Sequence, residues 1–310
     1  FRIIIYRYMN VLTFDVGGTT IKYGLVSDKL EIISKDVFKV PKNENDFIKL
    51  INSVQENHYE NFEKISIAMP GFINKKESKY LYGTNIKFEI DFKKLANFDL
   101  ENFYLDNDGN VAAYAEYIEK YKGKYSNLLM LTFGTGIGGG IVINEKIYRG
   151  TGSAGELGHV MVSDNQNIVC NCGKSGCLEA IVSAKNWTKK CEELSKVDKD
   201  SDLSKAFSQL VIGSILFDTS IELTPREHEE RERIIFYIGR GLVSLFEIFN
   251  NEIFILGGSM SDNPYNLVDL LEEHLEKNYE FKARVFPKIE ICNFKSDSGI
   301  LGSAILALNE

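Results

Sequence analysis

The sequence predicts a duplicated α/β protein of two domains, and three observations carry that expectation. The chain has 310 residues, a length that fits two domains at about 100–200 residues each. Its hydrophobic fraction of 44% and charged fraction of 26% place it among chains that bury a sizeable core, away from the composition of disordered ones. The third observation is a repeat. A strand pattern over Val11 to Asp15 breaks at Gly17-Gly18 and resumes at Tyr23 to Val26; far downstream Leu128 to Phe133 breaks at Gly134-Thr135-Gly136-Ile137-Gly138-Gly139-Gly140 and resumes at Ile141 to Ile143. The chain begins the same strand, Gly-rich turn and strand twice, with a boundary near Tyr117 to Ser126.

The remaining elements follow from periodicity and punctuation. After the first repeat come a strand at Glu31 to Phe38, a helix at Glu44 to Asn57, a buried strand at Ile65 to Met69, a strand at Phe103 to Leu105 and a helix at Asn110 to Tyr121. After the second, helices are expected at Leu178 to Lys190 and His228 to Asn250. In the latter, Ile234, Ile235, Ile238, Leu242, Leu245 and Phe249 keep core spacing. A strand at Ile253 to Leu256 ends at Gly257-Gly258, a helix starts near Pro264, and a strand at Ile289 to Phe294 leads to a closing helix at Ile300 to Leu308. The polar stretch Lys196 to Ser208 reads as a surface connection.

Charge and composition exclude several classes of function. Lys and Arg number 36 against 44 Asp and Glu, a formal charge of −8, which argues against a nucleic-acid partner. No apolar run approaches the roughly 18–20 residues that cross a bilayer, so no membrane role is expected. The opening residues FRIIIYRYM are too short in apolar length for a signal peptide and precede no small-residue cleavage site. Met9 reads as the natural start, with the residues before it a scar or an over-called start codon; a short structured arm is the alternative. Four of the five cysteines lie between Cys170 and Cys191. Clustering beside a histidine reads as metal binding in a reducing cytoplasm, not as a secreted disulfide framework.

Three groups of residues carry chemistry. Asp15-Val16-Gly17-Gly18-Thr19-Thr20-Ile21-Lys22 differs from a dinucleotide fingerprint because its glycines turn one strand into the next instead of opening a helix. Such a turn presents backbone N–H groups to a polyanion, the Thr19 and Thr20 hydroxyls add donors, and Asp15 at the strand end would hold hydrated Mg²⁺. An ordinary hairpin with glycines at positive φ is the competing reading. The run Gly134 to Gly140 offers the same chemistry, and two such loops across a cleft would grip a nucleotide's phosphates from both lobes. Asp106-Asn107-Asp108 falls between a strand and a helix, where α/β sites form, and Asp108 is a candidate general base; helix capping explains one of the three polar residues. The strongest local signal is Gly155-Glu156-Leu157-Gly158-His159, followed after ten residues by Cys170-Asn171-Cys172-Gly173-Lys174-Ser175-Gly176-Cys177-Leu178-Glu179. His159, Cys170, Cys172 and Cys177 supply the four ligands of a closed tetrahedral, structural Zn²⁺ site. Cys191 and Cys292 read as plain thiols, and His58, His228 and His274 as surface residues.

In these motifs the sequence resembles the ROK family of sugar kinases and repressors in the actin-like ATPase superfamily. The resemblance runs from Asn10 to Leu308. It matches the first phosphate loop to Asp15–Thr20, the family's Glu-Asn-Asp to Asp106-Asn107-Asp108, the second loop to Gly134–Gly140, the adenosine-side glycines to Gly257-Gly258, and the closing Gly-x-x-Gly to Gly299 and Gly302. Both halves of the Gly-Glu-x-Gly-His and Cys-x-Cys-Gly-x-x-Gly-Cys-x-Glu signature are complete. Two departures stand out: Asp106 replaces the usual Glu, and Thr84-Asn85-Ile86 replaces the common Pro-Asn-Leu.

The resemblance implies a two-lobed actin-like ATPase (ribonuclease H-like) fold, a duplicated α/β domain with an interlobe cleft. One lobe would span 9–118 plus about 295–310, the other 119–294. It implies ATP-dependent phosphorylation of a hexose or N-acetylhexosamine at the 6-hydroxyl, with Asp108 accepting the hydroxyl proton and Mg²⁺ and structural Zn²⁺ as cofactors. Gly71, Asn85, Asn107, Asp108, Glu156, His159 and Glu179 would contact the sugar. Asp15, Gly17, Gly18, Thr19, Thr20, Lys22, Gly134, Thr135, Gly136, Gly257 and Gly258 would serve ATP. His159 would act twice, as zinc ligand and beside the sugar. A homodimer is the family expectation. The rival is a sugar-sensing protein of the repressor lineage without kinase activity; only ten residues precede the first strand, and both loops, Asp15 and Asp108 remain, so the kinase is favoured. Glucose, N-acetylmannosamine, N-acetylglucosamine, fructose and glycosides are not distinguished.

Overall fold

A computed structural model of the chain describes residues 9–58, 61–83, 85–96, 98–293 and 298–310. The expected arm before Met9, Thr84 and Phe294 lie outside the described residues. The chain forms two compact units: one takes the chain up to Lys122, the return segment Lys146–Ala154 and the final stretch to Glu310, and the other takes Gly123–Glu145 and Gly155 up to that final stretch.

The first unit is built on β1 (Val11–Val16), β2 (Thr20–Val26), β3 (Ile32–Lys39), α1 (Glu44–Asn57), β4 (Lys64–Met69), a small sheet of β5 (Phe72–Asn74), β6 (Lys79–Tyr82) and β7 (Ile90–Asp91), then β8 (Phe103–Asn107) and α2 (Asp108–Glu116). Its main sheet has the order β3-β2-β1-β4-β8, with β2 antiparallel and β4 parallel to β1. Alternation along β1 assigns its faces. Leu12, Phe14 and Val16 cluster with Phe47, Ile48, Ile51 and Val54 of α1, while Val11 clusters with Ile300, Ala304 and Ala307 of the closing helix. Asn43 caps α1 through its side chain, which accepts from Asp46 N. A π-turn at Tyr117–Tyr121 ends α2.

The second unit repeats this plan. It contains β9 (Leu128–Phe133) and β10 (Ile137–Ile143); β11 (Lys146–Ile147) lies where the chain returns to the first unit. There follow α3 (Leu178–Val182), α4 (Ala184–Val197), α5 (Asp202–Leu210), α6 (Pro225–Phe249), β12 (Ile253–Gly258), α7 (Leu267–Asn278) and β13 (Lys288–Ile291), and the chain closes in the first unit with α8 (Ser298–Asn309). The strands run β10-β9-β12-β13, with β10 antiparallel and β12 parallel to β9. The order and sense of β2-β1-β4-β8 are thereby reproduced. Thr224 starts α6 with a reciprocal capping box to Glu227 and Pro225 follows it, which is why so long a helix begins sharply. Among the described residues no helix is long and apolar enough to cross a membrane.

Several expectations are corrected. The polar stretch Lys196 to Ser208 is not a connection: it holds the end of α4 and most of α5, which is capped by Ser201 and buries Leu203 and Phe207. The expected helix Leu178–Lys190 is two helices, divided at Ser183. β10 begins at Ile137, so Gly138–Gly140 are strand residues and the second turn is only Gly134–Gly136. β8 runs through Asn107 and α2 begins at Asp108, two residues ahead of the expected start. The small sheet β5-β6-β7 was not anticipated. His58 and His274 are half-buried, not surface residues: His58 lies against Tyr23, and burial pushes His274 below its ordinary pKa.

Candidate active site

In the first unit the candidate residues gather at the carboxyl end of the parallel strands. Asp15 on β1 pairs with Ala68 on β4, and Ala68 pairs with Asp106 on β8. Asp15 and Asp106 therefore stand two strand spacings apart in one row, about 9–10 Å at 4.7–4.9 Å per strand. The turn after β1 closes by Gly17 N donating to Thr20 O at 2.8 Å, with Thr19 and Thr20 exposed. Neither Gly17 nor Gly18 has positive φ, so the simple hairpin explanation of these glycines does not hold. At Gly18 a Cβ would lie 2.4 Å from the Asn85 side-chain nitrogen, so a larger residue there would have to displace that side chain.

Burial pushes the Asp15 carboxyl above its ordinary pKa, with Lys22 opposing. Gly299 in the first turn of α8 lies against this carboxylate, so closely that a Cβ would be 2.1 Å from Cγ. A desolvated carboxylate beside a polyanion-sized turn is a suitable holder for a hydrated divalent cation.

Asp106, Asn107 and Asp108 divide their roles. Asn107 is the cap of α2: its Oδ1 accepts from Gly109 N at 2.8 Å and Asn110 N at 3.4 Å, and its Nδ2 donates to Gly71 O at 3.2 Å. Gly71 has φ +97°, and a Cβ would lie 2.5 Å from Tyr82 O, so only glycine places this carbonyl here. Asp106 is fully buried. Its Oδ1 accepts from Asn107 N and Asn110 Nδ2, and its Oδ2 accepts from Arg149 Nε at 2.6 Å. Asp108 is the first helical residue and is exposed, its Oδ1 accepting from Gly109 N at 2.9 Å. Of the two carboxylates, that of Asp106 is buried and that of Asp108 is exposed. Asn85 is exposed on a loop fastened by Tyr80 Oη, which donates to Ile86 O at 2.9 Å.

The second unit carries the other turn and the cysteine cluster. Gly134 N donates to Gly136 O, and Lys185 N at the start of α4 donates to Gly134 O. Thr135 is exposed at the tip. The turn adjoins Gly257-Gly258, which pair with Thr132 and Phe133 on β9. Beside them a cavity of about 100 Å³ is lined by Ala184, Thr188, Gly213, Ser259 and Asn263 with the buried ring of Trp187. Apart from the glycine pair, these residues gave no signal in the sequence; they come from separate elements, and no short motif unites them.

The ligand atoms of His159, Cys170, Cys172 and Cys177 all lie within 4.8 Å of one another. Cys172 Sγ and Cys177 Sγ are 3.6 Å apart, as are Cys170 Sγ and His159 Nδ1. A tetrahedron with Zn–S of about 2.3 Å and Zn–N of about 2.0 Å has edges of about 3.5–3.8 Å, so the donor set fits zinc. Gly176 has φ +78° and would put a Cβ 1.9 Å from Ser163 O, fixing how the chain wraps the site. The other nitrogen of His159, Nε2, is 3.7 Å from Glu156 Oε2. Desolvation pushes the Glu156 carboxyl up, and nearby Glu179 adds to this while His159 and Lys174 oppose it. Glu179 Oε2 accepts from Ile137 N at 2.9 Å, tying α3 to the residue after the second turn.

Comparison with known proteins gives the family of the chain. The model of the ROK family matches residues 11–310. The chain belongs to the ROK family. Among characterised relatives, a glucokinase of Halalkalibacterium halodurans is 29% identical over 94% of this chain and 93% of its own. A xylose repressor of Caldicellulosiruptor bescii is 29% identical over 79% of this chain but 62% of its own. Among solved structures, a ROK family glucokinase from Streptomyces griseus in complex with glucose and AMPPNP superposes with a TM-score of 0.77 at 23% identity, covering 97% of this chain and all of that one. The fold of this ROK protein is accordingly the duplicated α/β fold of the actin-like ATPases, as the family resemblance implied.

Proposed function

We propose that the protein transfers the γ-phosphoryl group of ATP to the 6-hydroxyl of a hexose or N-acetylhexosamine, with Asp108 as general base. The observation that carries this reading is the placement of the exposed Asp108 carboxylate at the end of the same sheet edge that bears Asp15 and the first Gly turn. In the reaction, the sugar oxygen gives its proton to Asp108 and forms a bond to the γ-phosphorus. The bond from that phosphorus to the bridging oxygen breaks, and ADP leaves with the electron pair. Little covalent work falls to the protein, so positioning and charge stabilisation dominate.

Each unit has its part. The first would hold phosphates through Gly17, Gly18, Thr19, Thr20 and Lys22, and the sugar through Gly71, Asn85, Asn107 and Asp108. The second would hold phosphates through Gly134, Thr135 and Gly136, and adenosine at Gly257, Gly258 and the neighbouring cavity. Glu156, His159 and Glu179 would recognise sugar hydroxyls. Asp15 would hold Mg²⁺, which neutralises charge on the phosphoryl oxygens. His159, Cys170, Cys172 and Cys177 would hold a structural zinc whose closed ligand set shapes the loop bearing the sugar contacts.

Similarity to glucokinases along nearly the whole chain supports this reading. Similarity to a xylose repressor supports a second, a sugar sensor without turnover. Phosphorus NMR of the product from ATP and a hexose separates them. A sugar phosphate coupled to the C6 protons is expected; binding of sugar with no phosphorylated product would leave the sensor, and coupling at another carbon would overturn the 6-hydroxyl assignment.

A further inference from the structure

We propose that Arg149 is a positioning residue for the phosphoryl-transfer site, fixing Asn107 and Asp108 at the head of α2 through the buried carboxylate of Asp106. The proposal rests on the reading of Asp108 as general base. Arg149 lies on the return segment Lys146–Ala154 of the first unit, far in sequence from the residues it would hold.

The geometry is a relay of hydrogen bonds with no slack. Arg149 Nε donates to Asp106 Oδ2 at 2.6 Å, and its Nη2 reaches both the same oxygen and Glu310 Oε1. Glu310 is held in turn by Lys75 Nζ at 2.6 Å. With Oδ2 fixed from one side, Asp106 Oδ1 points the other way and accepts from Asn107 N at 2.8 Å and Asn110 Nδ2 at 2.9 Å. Asn107 then caps α2 and grips Gly71 O. Asp108 follows as the next residue. Rotation of the Asp106 carboxylate would release Asn107 N and Asn110 together, loosening the joint between β8 and α2 from which Asp108 projects.

A buried ion pair is a poor device for stability alone, because well-packed apolar side chains serve as well or better. Asp106 is 1% exposed and Arg149 21%, so this pair is desolvated and has to be explained by something besides surface charge. A guanidinium offers donors in a rigid planar fork, which an ammonium cannot copy. The fork here spans two carboxylates, on β8 and after α8, and so fixes the Asp106 plane as well as its charge. Burial tends to raise the Glu310 carboxyl, yet the donors Lys75 and Arg149 bring it net below the ordinary value, in keeping with a standing charged network.

The test uses the full chain with Arg149→Lys, Arg149→Met and, as control, Asp108→Asn, measured by steady-state kinetics and thermal melting. Arg149→Lys keeps the positive charge and loses the fork. Its kcat is expected to fall about 10–100-fold, the scale of a misplacement near 1 Å, with ATP KM changed less than about twofold. Arg149→Met should show the same loss of kcat with a lower melting temperature. Wild-type kcat in a folded Arg149→Lys protein overturns the proposal. So does a loss in which kcat, ATP KM and melting temperature worsen in step, since that is the mark of general structural support. Full turnover by Asp108→Asn would remove the base assignment and this proposal with it, and that failure is recognisable because it occurs with Arg149 intact.

Discussion

At the scale of single residues, the Asp15 carboxyl owes its properties to burial, whereas that of Glu156 is exposed. For Asp15, burial raises the pKa in the folded protein above the unfolded value. A raised carboxyl pKa means that the folded state loses stability as pH rises through the interval between the two values, and stays penalised above it. Asp15→Asn should therefore raise the melting temperature of the ligand-free protein at pH 7–8, by about 2–4 °C for each kcal/mol relieved. The gain should vanish as pH falls below the ordinary aspartate value of about 3.9. The same variant should lose most stabilisation by MgATP; equal melting shifts with and without nucleotide would contradict a role in holding the cation. For Glu156 the decisive distance is 3.7 Å from Oε2 to His159 Nε2, too long for a hydrogen bond that would anchor the ring. Glu156→Ala should accordingly raise the sugar KM about 10-fold or more, as expected for a lost hydrogen bond to a charged group, with zinc content and ATP KM preserved. Loss of zinc with an unchanged sugar KM would show that Glu156 supports the metal loop instead.

Elements set how the metal cluster and the missed parts of the fold are understood. The wrap from Cys170 to Cys177 closes by Cys170 N donating to Lys174 O and Gly173 N donating to Cys170 O, and Leu178 N then docks on Val160 O to start α3. Metal analysis should find about one zinc per chain, the stoichiometry of a single four-ligand site. Cys177→Ser should remove it and lower the melting temperature, whereas Cys191→Ala, at a buried thiol of α4 within the hydrophobic core of the second unit, should keep the zinc. Full metal content in Cys177→Ser would contradict the ligand set. These short-range motifs were legible because spacing alone brings their donors together. The helix α5 was not, since its buried apolar pair, Leu203 and Phe207, sits among Asp, Ser, Lys and Gln, and that polar composition masked the i, i+4 spacing. The sheet β5-β6-β7 was missed because strands of two to four residues are too short to show a period. Arg149 gave no local signal at all, as its partners Asp106 and Glu310 are 43 and 161 residues away in the chain.

On the scale of the whole molecule, the repeat seen in the Gly-rich hairpins extends to the strand orders β2-β1-β4-β8 and β10-β9-β12-β13. The hairpins were readable because glycines punctuate them; the parallel partners were not readable as partners, since nothing local encodes which distant strand lies alongside. Duplication gives each unit a sheet edge with a turn at its carboxyl end, the location where α/β proteins bind ligands. One unit adds the candidate base and the other the cysteine cluster, so the two copies have diverged in chemistry while keeping their plan. The central claim is that this arrangement phosphorylates sugars with Asp108 as base, and the most direct measurement is hexose-dependent ADP release by the zinc-loaded protein across a panel of hexoses and N-acetylhexosamines, run beside Asp108→Asn. The account predicts turnover on at least one sugar, with kcat lowered about 10²–10⁴-fold in the variant while sugar binding persists. ADP release that no sugar stimulates, or a variant as fast as the wild type, would contradict it.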